Sequence, residues 1–182
     1  MDDLFKRIAE LIGQEIDAPV CRQFVNDLGE EPMSARTLYF FPESGFSLIC
    51  VQRIFVRAFL NVCTPRDPGF INSYKGNLPC DMRTQDSREV IRGKLSGKLR
   101  DQLVNSDDTE DQYDFPPLIL FVKFAADDAE VSSLSLGYGD ENLPLGLTPE
   151  MLDSCETSIQ AGVLHRPVRK RVGPRHKPRN DV

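Results

Sequence analysis

Phe46-Ser47-Leu48-Ile49-Cys50-Val51-Gln52-Arg53-Ile54-Phe55-Val56-Arg57-Ala58-Phe59-Leu60-Asn61-Val62 is the stretch that decides the fold. It is apolar over most of its length and rich in β-branched and aromatic residues, which favours strand over helix. Gln52-Arg53 breaks it. These two residues can close a hairpin between Phe46–Val51 and Ile54–Val62, although neither is a favoured turn type, and the register stays open. Within the second run Ile54, Val56, Ala58, Leu60 and Val62 alternate with Phe55, Arg57, Phe59 and Asn61. That period of two suits a strand. Both sets carry bulk, so cover is expected on each face.

Upstream, Leu38-Tyr39-Phe40-Phe41 reads as an aromatic strand and Pro42-Glu43-Ser44-Gly45 as a turn. A helix is expected over Asp17–Leu28, with Pro19 in its first turn and Gly29 as its cap. Val20, Phe24, Val25 and Leu28 form its apolar stripe. Before it, Asp2-Asp3 caps a helix carrying Leu4, Phe5, Ile8, Leu11 and Ile12, and Gly13 stops the run. Residues 1–63 thus make a helix-plus-meander unit.

Downstream the same order recurs. Residues 64–85 form a linker, opened by Thr64-Pro65-Arg66-Asp67-Pro68-Gly69. Residues 86–161 form a second unit plus a C-terminal helix. Asp86 or Ser87 caps a helix to Leu95, Glu89 sits in its first turn, Val90, Ile91 and Leu95 make its apolar face, and Gly97 closes it. Then come Tyr113-Asp114-Phe115, the Pro116-Pro117 break, Leu118–Phe124, a turn at Ala126-Asp127-Asp128, and Val131–Leu136. Thr148 and Pro149 open a last helix, Met151–Ile159. Residues 162–182 are basic, rich in proline and sparse in apolar side chains, as a flexible tail would be. The expected class is α+β: two similar units, each a helix and a three-strand antiparallel meander, with helices packed on two sheets or on one continuous sheet. The expected core includes Phe24, Leu28, Phe40, Phe46, Leu48, Ile54, Val56, Leu60, Val90, Ile91, Leu95, Leu120, Val122, Phe124, Val131, Leu134 and Leu136.

The charge is uneven. From His165 onward the tail holds seven of the 22 Lys and Arg but one of the 28 acids, so residues 1–164 carry 15 basic and 27 acidic side chains, a net of −12. Such a body repels nucleic acid and attracts a basic protein. The acids concentrate in a loop expected over Asn105–Asp114. Asp107, Asp108, Glu110 and Asp111, with Asp127 and Asp128 on the neighbouring turn, are the candidate partner-binding residues. The basic tail suits nucleic acid or an acidic membrane surface, but it has no aromatic residue for base stacking, and it can equally fold back on the acidic body.

Several chemistries find no support. Calcium-loop spacing and its turn glycine are missing from the acidic segment. Cys21, Cys50, Cys63, Cys80 and Cys155 are odd in number, widely spaced and without a CxxC pair, which points to reduced thiols and a cytosolic setting. No phosphate-cradling loop or GxSxG elbow occurs, and the only histidines, His165 and His176, lie in the tail. The expectation is a protein without catalytic residues, metal or cofactor. The acidic N-terminus lacks the basic region of a signal peptide, and no apolar run is long enough to span a bilayer.

Tyr74-Lys75-Gly76-Asn77-Leu78-Pro79, Asp86-Ser87-Arg88-Glu89-Val90, Tyr113-Asp114-Phe115 and the strands Leu118–Phe124 and Val131–Leu136 together resemble small bacterial immunity proteins of polymorphic toxin systems. The resemblance covers Tyr74 to Leu136. Leu95-Ser96-Gly97-Lys98 departs from that family's usual helix end. A helix and meander used twice also resembles the tandem layout of some protein inhibitors of secreted enzymes. The resemblance implies a cytoplasmic immunity protein that binds and neutralises a cognate toxin, such as a basic nuclease. It implies no catalytic residue, small-molecule substrate or membrane association. The alternative is an adaptor or loading chaperone for a secreted effector.

Overall fold

The computed structural model describes residues 3–35, 37–62, 72–104, 109–124, 131–144 and 146–152. Helices α1 (Leu4–Leu11) and α2 (Pro19–Leu28) precede strands β1 (Met33–Ala35), β2 (Leu38–Phe41), β3 (Phe46–Val51) and β4 (Ile54–Leu60). Helix α3 (Arg88–Lys94) precedes β5 (Leu99–Val104), β6 (Thr109–Phe115), β7 (Leu118–Phe124) and β8 (Val131–Gly137). The eight strands form one antiparallel sheet in the order β1-β2-β3-β4-β8-β7-β6-β5. The class is α+β, and of the two arrangements left open by the sequence the continuous sheet forms. β4 and β8 join its halves, with Leu60 opposite Leu134 and Arg57 opposite Gly137.

Each half is a meander of four strands, where three were expected. β1 is too short to show a period, and β5 carries Arg100-Asp101-Gln102 at its centre, which reads as loop. The expected loop Asn105–Asp114 is corrected too. From Thr109 onward it is strand β6, paired with β5 and β7. Polar side chains hide it from any hydrophobic pattern. The turn at 126–128, the last helix beyond Leu152 and the tail 162–182 lie outside the described residues.

The Gln52-Arg53 turn does close the β3–β4 hairpin. Both residues take positive φ, 49° and 70°, a conformation that L side chains adopt at a cost. The chain between α1 and α2 braces it. Ile16 N–H donates to Arg53 O at 2.8 Å, Phe55 N–H to Gln14 O at 3.0 Å, and Gly13 N–H to Phe55 O at 2.7 Å. Arg53 and Asp17 add an ion pair. Ile49 faces Arg57 while Cys50 faces Phe55, so Val56 is the extra residue of a β-bulge. The unbroken alternation expected along Ile54–Val62 is therefore wrong. The bulge turns Phe55 to the same side as Ala58 and Leu60, and Val56 to the side of Ile49 and Val51.

One face of the sheet packs under the helices. Phe5, Ile8 and Leu11 of α1, Phe24 of α2 and Ile91 and Leu95 around α3 meet Phe41, Phe46, Leu48, Leu120, Val122 and Leu134. Phe41 and Phe46, opposite each other across the β2–β3 hairpin, stack at 4.4 Å, and Phe24 sets its edge against both. On the other face Leu147 and Leu152 cover Leu38, Phe40, Ile49, Val51 and Val56. Val20 and Val90, expected inside, are 41% and 45% exposed. In α3 the inward residues are Arg88, Ile91, Arg92 and Leu95, at the spacing of one helical face, and Val90 lies off it. No helix of the described residues is long and apolar enough to cross a membrane.

Candidate functional site

Strand pleat decides what the acidic segment can do. Successive residues of β6 point to opposite faces, so the neighbours Glu110 and Asp111 are separated by the sheet itself. Asp111 points under α3 and is fully buried. Arg88 and Arg92, one turn apart, both reach it. Arg88 donates from Nη2 to Oδ1 at 2.7 Å and from Nε to Oδ2 at 3.2 Å. Arg92 donates from Nε to Oδ2 at 2.7 Å and from Nη2 to Oδ1 at 2.8 Å, and also to Gln102 Oε1 at 2.8 Å. The Tyr113 hydroxyl donates to Oδ2 at 3.2 Å. Burial alone would raise the Asp111 carboxyl, but the Arg92 and Arg88 hydrogen bonds outweigh it and hold the pKa down to about 2. Burial, then the Asp111 charge, pushes the Tyr113 phenol above its ordinary range. The Asp111 hydrogen bond holds Arg92 firmly protonated. Asp111 is thus a charged pin between α3 and the sheet. As a surface contact for a partner it is ruled out by its burial.

Glu110 points to the opposite face. It lies 3.7 Å from Lys123 Nζ and accepts from Gln112 Nε2 at 3.2 Å. Register places Asp101 beside Gln112 and brings Gln112 beside Phe121 on the same face. The Arg57 guanidinium lies 4.3 Å over the Phe121 ring. At the end of this face Arg100 pairs with Asp114 at 3.4 Å and with Glu141. Asp101, Asp140 and Glu141 are exposed. The acids of this half outside the buried cluster thus include Asp101, Asp114, Asp140 and Glu141 at the surface and Glu110, largely covered with its side chain 15% exposed, and of these the sequence reading singled out Glu110. Asp107, Asp108, Asp127 and Asp128 lie outside the described residues. Asp101 and Asp114 were legible as acids, but their shared face needed the β5–β6 register.

A second feature carried no sequence signal. Beneath α2, toward the β1 edge, a cleft of about 430 Å³ opens between helix and sheet. Phe24 and Val25 of α2 and Tyr39, Phe41, Leu48 and Phe55 of the sheet line it, with Leu11 and Ile16 behind and Arg22, Asn26, Glu31 and Pro32 among the remaining lining. Cys21 is the small residue that α2 contributes to the lining, and register sets Ser34 of β1 beside Tyr39. The Cys21 thiol donates to Glu15 O at 3.3 Å. Burial, then the Asp17 charge, raises its pKa, which keeps it protonated and a poor nucleophile. Volume and lining suit an apolar group held by a few polar contacts.

No protein-family model matches the chain, and no curated protein matches it. Two solved structures resemble it at 13% identity each. A DUF4309 family protein from Bacillus subtilis aligns with a TM-score of 0.41 over 65% of this chain and 77% of that one. An extracellular protein containing an SCP domain from Bacillus anthracis aligns with a TM-score of 0.39 over 80% of this chain and 53% of that one, so the match spans about half of its length.

Proposed function

We propose that the chain is a cytoplasmic immunity-type protein that binds a cognate bacterial toxin domain and blocks it without catalysis. The observation that carries this reading is electrostatic: residues 1–164 have a net charge of −12. Asp101, Glu110, Asp114, Asp140 and Glu141 contribute to it on one half of a sheet scaffold. A field of that sign steers a basic partner, such as a nuclease, toward the body and repels the nucleic acid it acts on. The two four-strand meanders, each preceded by a helix and joined at β4 and β8, are in this reading two copies of one module. The test is co-expression with the product of the adjacent upstream gene, followed by pull-down and a growth assay. Binding with protection of the host supports the proposal. No complex and no protection refutes it.

The apolar cleft favours a second reading, an adaptor or loading chaperone that holds a partly folded segment of a secreted effector. Activity of the toxin in the purified complex separates the two. An immunity protein abolishes it, and a chaperone leaves it intact.

A further inference from the structure

We infer that the cleft and the outer edge of β1 form one recognition groove for an extended polypeptide segment, which adds to the sheet beside β1 and seats a bulky apolar side chain under α2. This deepens the proposed function and rests on its premise that the chain binds a protein. Three observations lead to it. First, β1 is the terminal strand of the sheet, and its outer side has no neighbouring strand among the described residues. Ala35 closes the hairpin with Leu38 across two residues, so the ladder's alternation turns the N–H and C=O of Ser34 outward. Met33 and Ser34 are exposed, and the strand itself carries no charge or proline that would block pairing.

Second, the cleft lies one strand inward of that edge, under α2 and against Tyr39 of β2, with Glu31 and Pro32 just before β1 at its rim. Ser34 faces the helix side with Tyr39, and the next strand out would put every second side chain on that side too. A volume of about 430 Å³ walled by Phe24, Tyr39, Phe41 and Phe55 accepts an aromatic or leucine-sized group. Backbone pairing then supplies affinity and the cleft supplies choice of side chain. Third, Arg22 and Glu31 border the cleft, and neither has an ion-pair partner among the described residues. The net charge of −12 on residues 1–164 makes lysine the better flanking residue in a segment that docks here.

The test is fluorescence anisotropy on the full chain with labelled ten-residue peptides of alternating Thr and Lys, whose central residue is Phe, Tyr, Trp, Leu or Ala. The first four should bind at least about ten-fold tighter than the Ala peptide. Val25→Trp, which fills the cleft, and Ser34→Pro, which removes an outward N–H, should each weaken the best peptide about ten-fold or more. A proline whose N–H faced outward is tolerated on an edge strand, and circular dichroism checks that both variants fold. If Ser34→Pro unfolds, amide exchange of Ser34 in the unaltered chain decides, since it should slow when peptide is bound. Equal binding across the scan, no detectable binding, or binding untouched by Val25→Trp overturns the inference. So does N-acetyl-phenylalanine amide binding as well as the peptide, because the backbone would then add nothing. A toxin complex that survives both substitutions leaves the immunity reading standing and removes the groove. Peptide binding without toxin neutralisation does the reverse.

Discussion

The two halves of the sheet hold their helices by different physics. In the first half the aromatic set Phe24, Phe41 and Phe46 packs α2 down, and Leu147 and Leu152 cover the opposite face. In the second half α3 keeps two apolar anchors, Ile91 and Leu95, and spends the rest of its inner face on arginines that grip Asp111. The first arrangement rests on apolar contact in its aromatic set. The second depends on one carboxylate staying charged. Apolar burial is non-directional and fixes only that α2 lies on the sheet, whereas a doubly bidentate ion cluster also fixes where α3 lies along it.

The largest expected effect comes from breaking that pin. Asp111→Ala leaves two guanidinium groups partly buried without their acceptor, and breaking a buried pair in this way costs about 3–5 kcal/mol. Phe46→Ala in the first half should cost a similar amount, about 3–5 kcal/mol, through cavity formation. Urea unfolding measures both. A loss below 1 kcal/mol for Asp111→Ala would mean that the cluster does not hold α3. The two losses should differ in kind. High salt should leave the Phe46→Ala deficit unchanged, and replacing Asp111, Arg88 and Arg92 together by Leu and Met should recover much of the Asp111→Ala loss.

Acid should separate the halves next. The folded Asp111 carboxyl lies at about 2, below its ordinary value of 3.8. A depressed folded pKa gives stability that is fully present above the ordinary value and lost as pH falls through the folded one. The difference corresponds to about 2 kcal/mol lost between roughly pH 4 and pH 2. Stability of Asp111→Asn measured across that window should fall by less than that of the unaltered chain, by about this amount. Parallel acid profiles would assign the acid sensitivity to other carboxylates.

What the sequence made legible follows the same division. Phe46–Val62, Leu118–Phe124 and Val131–Leu136 were readable as strands because burial on one or both faces writes apolar residues into them. β5 was not, and of β6 only Tyr113–Phe115 was read, because Gln102 accepts from Arg92 and Glu110 pairs with Lys123 and Gln112 rather than meeting a core. Asp111 looked like its acidic neighbours, and only the pleat, with Arg88 and Arg92 at helical spacing above it, distinguishes a buried carboxylate from a surface one. The cleft was illegible for the opposite reason. It opens between α2 and the side chains of β2, β3 and β4, and a missing volume has no residue pattern.

The helix starts give a smaller contrast. Ser87 Oγ accepts from Val90 N–H at 3.5 Å, a long cap, whereas Ala18 at the start of α2 offers no side-chain acceptor. Ser87→Ala should cost about 0.5–1 kcal/mol, the low end for a cap, and Ala18→Asp should gain about 0.5–1 kcal/mol. Thermal melts of the two variants read the signs. A loss for Ala18→Asp would show that the α2 entry is set by Pro19 and packing rather than by a side-chain cap.

The smallest effect on stability should come from the acids outside the buried cluster, and there the contrast becomes functional. Asp101→Asn, Glu110→Gln and Asp114→Asn touch no apolar core, and each should shift stability by no more than about 0.5 kcal/mol. Their effect belongs to encounter. An acidic surface speeds association with a basic partner through its field, and that contribution shrinks as salt rises. The triple variant should therefore lower the association rate with the toxin partner several-fold at low salt, flatten the salt dependence, and leave dissociation almost unchanged. Asp111→Asn is the matched control, because its carboxylate is buried between two arginines on the other face. It should lower stability while leaving the rate of encounter nearly intact. Stopped-flow association at two salt concentrations makes the comparison. An unchanged rate and salt slope in the triple variant would remove this face from the interface, and a rate that falls only in Asp111→Asn would place the partner over α3 instead.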